Sequence, residues 1–330
     1  MSWQQIHEVL DSVRVGPDGR SAGFAAWHLE ARDHRDLEKQ LGKALYECLH
    51  LRRREPTDIR ARMVRDPDFE HLLASRIPHR NLPQTTSVVR RDTAAGMTLV
   101  RLMDVRVWVP DELVTDRSGD ATATVLLPSG FPALSPGFLV TQGTRPLPPG
   151  NPASLRRLYL SLRAAADAPA VWATVLGALE ETGVPYRAKA ASVAWFYPRT
   201  DAVTVYVDAR HLERASAALL PRLRRQEGLE PATSLLCERL APGIAVASEP
   251  DDPRPGRRGL SFGEHRCSLL AHALVDARMR GAAWREVLPP VLEAANVDPD
   301  EPWRNLTGRT EPQEASPPPH EPAGPVPVRS

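Results

Sequence analysis

The residues best suited to chemistry fall in a few short stretches. Ser261-Phe262-Gly263-Glu264-His265-Arg266-Cys267 opens a segment of helical period. Ser261 followed three residues later by Glu264 is the pattern of a capping box, which fixes the start of that helix. His265 and Arg266 then sit near the first turn, beside unpaired backbone N–H groups and the positive end of the helix dipole. Such a pair reads as an anion site with a titratable proton donor next to it, and equally as the surface of an ordinary amphipathic helix. Of the 42 basic residues only Lys39, Lys43 and Lys189 are lysines. A lysine can lose its proton and act as a base where arginine cannot, so Lys189 stands out. Lys39 and Lys43, four apart near Glu38 and Glu47, read as a solvated helix face.

The elements that must position these groups are legible from periodicity. Leu158, Leu160 and Leu162 alternate with Arg157, Tyr159, Ser161 and Arg163, as a strand with two unlike faces. A helix is expected over 168–182, ended by Gly183, and a strand over 186–193 that sets Arg187 and Lys189 on one face. Val203, Val205 and Val207 point to a core, while Thr204, Tyr206 and Asp208 point away. Three successive strands therefore offer a polar face, read either as a sheet wetted on one side or as the floor of a basic cleft. Helices are expected over 211–225, 231–240, 261–280 and 284–295, with 241–247 irregular or extended.

Upstream, 2–54 reads as largely helical, broken by a Gly16-Pro17-Asp18-Gly19 turn. Arg52-Arg53-Arg54 suits the end of that helical region, with a phosphate-facing role as the alternative. Residues 55–90 read as a mobile loop. One long strand is expected from Leu99 to Val109, then strands at 123–127 and 138–141 separated by a Pro/Gly-rich loop over 128–137. The stretch 311–330 is rich in Pro and poor in apolar residues, and is expected to be disordered.

The fold class is therefore α+β: a helical N-terminal region over 1–90, a mixed or antiparallel sheet flanked by helices over 91–310, and the tail. With 42% hydrophobic and 25% charged residues the composition is that of a soluble globular chain. A net charge of +1 argues against a dedicated nucleic-acid binder. No apolar run reaches membrane-span length, and the start lacks a basic-then-apolar signal pattern. Cys48, Cys237 and Cys267 form no metal-ligand spacing, so a reduced, cytoplasmic protein without a structural metal is expected.

Several pieces together resemble the HopA-type effector family. They are Leu45-Tyr46, Ser135-Pro136-Gly137-Phe138, Arg157-Leu158-Tyr159, Gly183-Val184-Pro185-Tyr186-Arg187-Ala188-Lys189, the stretch AVTVYVD at 202–208, Leu240-Ala241-Pro242-Gly243 and the 261–267 box. The resemblance runs over roughly residues 40–310. The GC-rich style of composition makes the chain look most like the stand-alone homologues that act as lyases in class V lanthipeptide or thioamitide biosynthesis. The resemblance implies a phosphorylated precursor peptide as substrate, a Ser/Thr kinase and a cyclase of the same pathway as partners, no nucleic acid and no membrane. It implies elimination of phosphate from phosphoserine or phosphothreonine to give dehydroalanine or dehydrobutyrine. That reaction needs a base for the α-proton, a neutraliser for the leaving phosphate and an acid for the bridging oxygen, with no metal or organic cofactor. A lysine base must be neutral at the working pH. On this expectation Lys189 is the base and His265 the acid, Arg157, Arg187 and Arg266 hold phosphate, and Tyr159 and Tyr206 orient the peptide. The rivals are a non-catalytic phosphopeptide-binding or scaffolding subunit, and an effector-like protein acting by ADP-ribosyl transfer.

Overall fold

The computed structural model describes residues 2–57, 65–102, 105–116, 121–148, 152–257 and 259–307, and its architecture is α+β. The expected disordered tail, 311–330, lies outside the described residues. Among the described residues no helix is long and apolar enough to cross a membrane.

The N-terminal region is not purely helical. Between α1 (Ser2–Ser12) and α2 (His34–Leu45) lies an antiparallel sheet of β1 (Arg14–Val15), β2 (Ser21–Phe24) and β3 (Trp27–Glu30). The Gly16–Gly19 turn joins two strands, with Gly16 N–H donating to Ser21 O at 2.8 Å. Strands of two to four residues are too short to show a period. The stretch expected as a mobile loop also holds structure: α3 (Pro67–Ala74) and β4 (Asn81–Asp92). Asp66 caps α3, its carboxylate accepting from Phe69 N–H at 3.2 Å, and Pro67 occupies the first turn where its missing donor costs nothing.

The single strand expected from 99 to 109 is a hairpin of β5 (Met97–Leu102) and β6 (Val105–Pro110), Leu102 pairing with Val105. Apolar residues occupy both parities there, so alternation could not reveal the reversal. With β4, β7 (Val114–Asp116) and β8 (Thr122–Pro128) they form a five-stranded sheet in the order β6-β5-β4-β8-β7. Its small core is Val100, Val109, Val114, Ala123 and Val125. The expected loop at 128–137 contains another strand, β9 (Gly130–Ser135). Pro132 is tolerated because β9 lies at a sheet edge, where a missing N–H breaks no ladder.

The central sheet is antiparallel throughout. Its members are β9, β10 (Phe138–Gln142), β11 (Leu155–Leu162), β12 (Arg187–Ala191), β13 (Arg199–Asp208), β14 (Glu238–Ala241) and β15 (Ile244–Ser248). The order is β14-β15-β11-β13-β12-β10-β9. The region expected as a helix at 231–240 is instead a turn leading into β14. Its apolar residues Leu235, Leu236 and Cys237 are consecutive and all buried, and Leu235 N–H donates to Leu49 O at 3.0 Å.

Both faces of the sheet are packed. On one, α4 (Ala168–Thr182), ended by Gly183 at φ 64°, and α5 (Leu212–Leu223) cover Leu158, Leu160, Val203, Val205 and Ala188. On the other, α2, α6 (Phe262–Arg280) and α7 (Trp284–Ala294) cover Tyr159, Ala245 and Ala247. The capping box of α6 forms as expected, Ser261 N–H donating to Glu264 Oε2 at 2.9 Å. The helix is a core element rather than a surface one: Phe262, Leu269, Leu270 and Val275 are fully buried, each stabilising by roughly 1.5–3 kcal/mol.

Candidate functional site

The register of β11, β13 and β12 arranges the flagged side chains in two rows on one sheet face. Arg157 pairs with Tyr206, which pairs with Arg187. One step along, Tyr159 pairs with Thr204, which pairs with Lys189. The cover on this face extends over β15 and β11 and as far as Thr204 of β13, which is fully buried. The wetted-face and cleft-floor readings therefore each hold for neither the whole sheet nor the whole row: Tyr159 is sealed, while Arg187, Lys189 and Tyr206 line an open cleft of about 280 Å³.

Tyr159 is 3% exposed, edge-on to the His50 ring at 5.4 Å and 6.2 Å from Phe262. Burial holds its phenol well above the usual tyrosine range. It does not reach a peptide in the cleft, contrary to its expected substrate role. Arg157 is also buried, and its fork is taken by Glu249, Nη2 lying 2.5 Å from Oε1 while Nε donates to Oε2. Its guanidinium stacks 5.1 Å from the Tyr206 ring centre. Arg157 thus props Tyr206 and anchors Glu249 on the cleft wall, and its donors are not free for phosphate as expected.

Arg187 is exposed and makes no ion pair among the described residues. Lys189 is half-buried, with Nζ 4.2 Å over the Phe138 ring. Arg199 approaches the same ring at 5.0 Å but is held by Asp201 through bonds of 2.6 and 3.0 Å. The accessible cations of the cleft are therefore Arg187 and Lys189, two residues apart on β12, with the Tyr206 phenol beside them.

His265 and Arg266 do not join this cleft. His265 is fully buried, its Nε2 2.8 Å from Asp252 Oδ2 and its Nδ1 2.7 Å from Arg266 Nη1. Arg266 is 1% exposed and donates to Pro302 O at 2.7 Å and Asn305 Oδ1 at 3.1 Å. Burial, then the Arg266 charge, pushes the His265 ring down to about 4, despite Asp252. Burial also lowers Arg266 to about 9, where it is still protonated at neutral pH. The sequence placed both in the first turn correctly, but that turn faces the C-terminal segment rather than solvent. Arg266 pins residues 302–305 to α6, and His265 ties Asp252 to the same helix.

The sequence profile of the HopA1 effector protein family matches residues 130–304. The chain belongs to that family. Two solved structures are similar at low identity, both of effector proteins from Pseudomonas syringae. That from pv. tomato strain DC3000 has 15% identity and a TM-score of 0.43, covering 82% of this chain and 95% of its own. That from pv. syringae strain 61 has 13% identity and a TM-score of 0.43, covering 81% and 95%. No curated protein matches.

The HopA1 match contains every flagged residue from Arg157 to Arg266, and stops short of α2 and the five-stranded sheet. Outside the match lies a feature that sequence reading missed. Directly after α2 the chain widens into one turn of π-helix, Tyr46–His50. It delivers His50, whose Nδ1 is 2.9 Å from Ser234 Oγ and whose Nε2 is 3.8 Å from Asp201 Oδ2. The Tyr46 hydroxyl donates to the same Asp201 oxygen at 3.4 Å. Although Ser, His and Asp are aligned, all three are buried, so the set cannot present a nucleophile. It ties the end of α2 to β13 and to the turn before β14 instead. The sequence signal was limited to Leu45-Tyr46, since a π-turn has the same composition as the helix it extends.

Proposed function

We propose that this HopA1-family chain is a phosphoserine/phosphothreonine lyase acting on a peptide phosphorylated by a separate kinase. The observation that carries the reading is the placement of Arg187, Lys189 and Tyr206 together on the open part of the sheet, with both cations accessible. Lys189, as the free amine, takes the α-proton of the phosphorylated residue. The released electron pair forms the Cα=Cβ bond, the Cβ–O bond breaks, and phosphate departs with the bonding pair, taking a proton from solvent water onto the former bridging oxygen to leave as the hydrogen phosphate dianion. Arg187 neutralises the departing dianion in the geometry guanidinium groups favour for phosphate. Tyr206, braced by Arg157, donates its hydroxyl to a phosphate oxygen. The products are a dehydroalanine or dehydrobutyrine residue and inorganic phosphate, and the step needs no cofactor.

One observation favours a second reading, a subunit that binds phosphopeptide without turning it over: His265, the expected proton donor, lies outside the cleft. Mass spectrometry of a phosphorylated Ser/Thr peptide incubated with the pure protein separates the two. Loss of phosphoric acid, with the alkene trapped by a thiol, is the expected result. Binding without any loss, with the cognate kinase also present, would establish the second reading and end the first.

A further inference from the structure

The five-stranded sheet carries a surface that the cleft chemistry does not use. Strand β6 is its outer edge, paired to β5 on one side and to nothing among the described residues on the other. Natural edge strands are blunted by charge, proline or brevity, because an open row of N–H and C=O groups recruits another strand. Here Val105 is 60% exposed, Val107 37% and Trp108 38%, and Val89 on β4 is 41% exposed. These are four of the seven exposed large hydrophobic residues among those described; Val105 and Val107 lie on the Val100 side of the sheet and Trp108 on the other, so apolar side chains flank the β6 edge on both faces.

The face beside that edge is cationic. Register places Trp108 opposite Leu99 and Leu99 opposite Arg90, with Arg90 5.0 Å over the Trp108 ring. In the next row Arg101 lies directly opposite Arg106. Like charges in direct cross-strand register destabilise a sheet unless an anion lies between them. All three arginines are exposed, and none makes an ion pair among the described residues. An apolar free edge next to unpaired arginines suits one kind of occupant, an extended peptide with acidic side chains that adds to β6.

Other occupants fit less well. A second copy pairing through β6 would extend the same face and bring two sets of arginines together. A nucleic acid would leave the Val105 and Val107 edge without a use, and the chain's net charge of +1 supplies no general attraction. The sheet is also joined to the cleft by the chain itself. β8 runs through Ser129 into β9, whose Leu134 and Ser135 line the cleft beside Lys189.

We propose that the β6 edge and the Arg90–Arg101–Arg106 face dock an acidic, extended segment of the peptide substrate, away from the residue that reacts. This rests on the phosphopeptide reading of the cleft for the identity of the peptide, though its test does not require turnover. The full chain is titrated into a short fluorescent peptide rich in Asp and Glu, lacking phosphate, and anisotropy is followed at low and high salt. Wild type is expected to bind and a Lys-rich peptide of equal length is not. The double reversal Arg101→Glu/Arg106→Glu should weaken binding by roughly tenfold or more, and Arg101→Lys/Arg106→Lys should retain most of it. Both variants should leave elimination from a minimal phosphopeptide unchanged. Each variant keeps a like-charge pair at the same register, so neither adds a new strain to the sheet, and thermal melting checks that both fold. Equal binding by wild type and the reversal overturns the proposal, as does tighter binding to a single-stranded oligonucleotide, or dimerisation through β6 in sedimentation. Failure of the wild type to bind the acidic peptide while elimination proceeds sinks only this inference; docking by the wild type without elimination sinks only the lyase.

Discussion

Arg266 Nη1 lies 2.7 Å from His265 Nδ1, so the guanidinium donates to the ring and occupies the lone pair that would take a second proton. With Nε2–H donating to Asp252, the imidazole is neutral in the folded state. His50 is in a similar position, buried and pushed down to about 4 by burial. In the unfolded chain both rings titrate near 6.5. The folded form binds fewer protons between these values, so the stability they support is complete above about pH 6.5. It is lost as pH falls toward about 4, by roughly 3 kcal/mol per ring. Urea unfolding should show a marked fall in midpoint between neutral pH and pH 5. His265→Gln, less stable at neutral pH, should show a shallower fall. Parallel profiles for the two would refute the neutral-ring assignment.

Gly263 packs where the π-turn meets α6. A Cβ there would fall 2.6 Å from His50 Cδ2 and 2.7 Å from Tyr46 Cε2. Gly263→Ala is expected to destabilise by about 1–3 kcal/mol, since buried rings must shift and this exceeds the gain in helix propensity. Gly177→Ala in α4 meets nothing within 4 Å and is expected to stabilise by about 0.5–1 kcal/mol. Thermal melts of the two variants should move in opposite directions. A melting point for Gly263→Ala at or above wild type would mean the rings are free to move.

These two positions show what the sequence could and could not convey. The 261–267 box was legible as a helix start, and the alternation of 155–163 and 203–208 gave true strands, because cap and period are local. The row linking Arg157, Tyr206 and Arg187 followed once those strands paired. What failed depended on partners far along the chain. Nothing local to His265 reveals that residues 302–305 close over it, or that Tyr159 lies beneath His50. Alternation told which residues share a face, but not that part of it is covered. The N-terminal sheet and the 97–110 hairpin were hidden for a different reason: their strands are too short or too uniformly apolar to carry a period.

Lys189→Ala is expected to abolish elimination, by roughly 10²–10⁴-fold, while phosphopeptide binding falls only severalfold. Arg187, exposed beside it, still supplies charge for the phosphate. Lys189→Arg should be as inactive as the alanine variant, because it restores charge and not a base. Arg187→Ala should do the converse, weakening binding by about tenfold or more. Single-turnover mass spectrometry with calorimetric binding measures both quantities. Substantial turnover in Lys189→Arg would show that the lysine serves as a clamp and that the base is elsewhere.

Glu249 decides whether Arg157 is available. Its carboxylate fills the Arg157 fork at the cleft wall, so Glu249→Gln leaves a buried guanidinium without its counter-charge. Stability should fall by about 3 kcal/mol, the usual consequence of removing one partner of a buried pair. The amide that replaces the carboxylate still fills the space, but it is uncharged, and a phosphate entering along the cleft wall at residue 249 competes for the guanidinium better against it than against a carboxylate. Millimolar phosphate should therefore raise the melting temperature of Glu249→Gln more than that of wild type, by preferential binding to the folded state. Arg157→Met/Glu249→Gln should lose that extra response, because no cation remains to be paired. If phosphate raises wild type and Glu249→Gln equally, the Arg157 fork is closed to anions and its work is confined to bracing Tyr206.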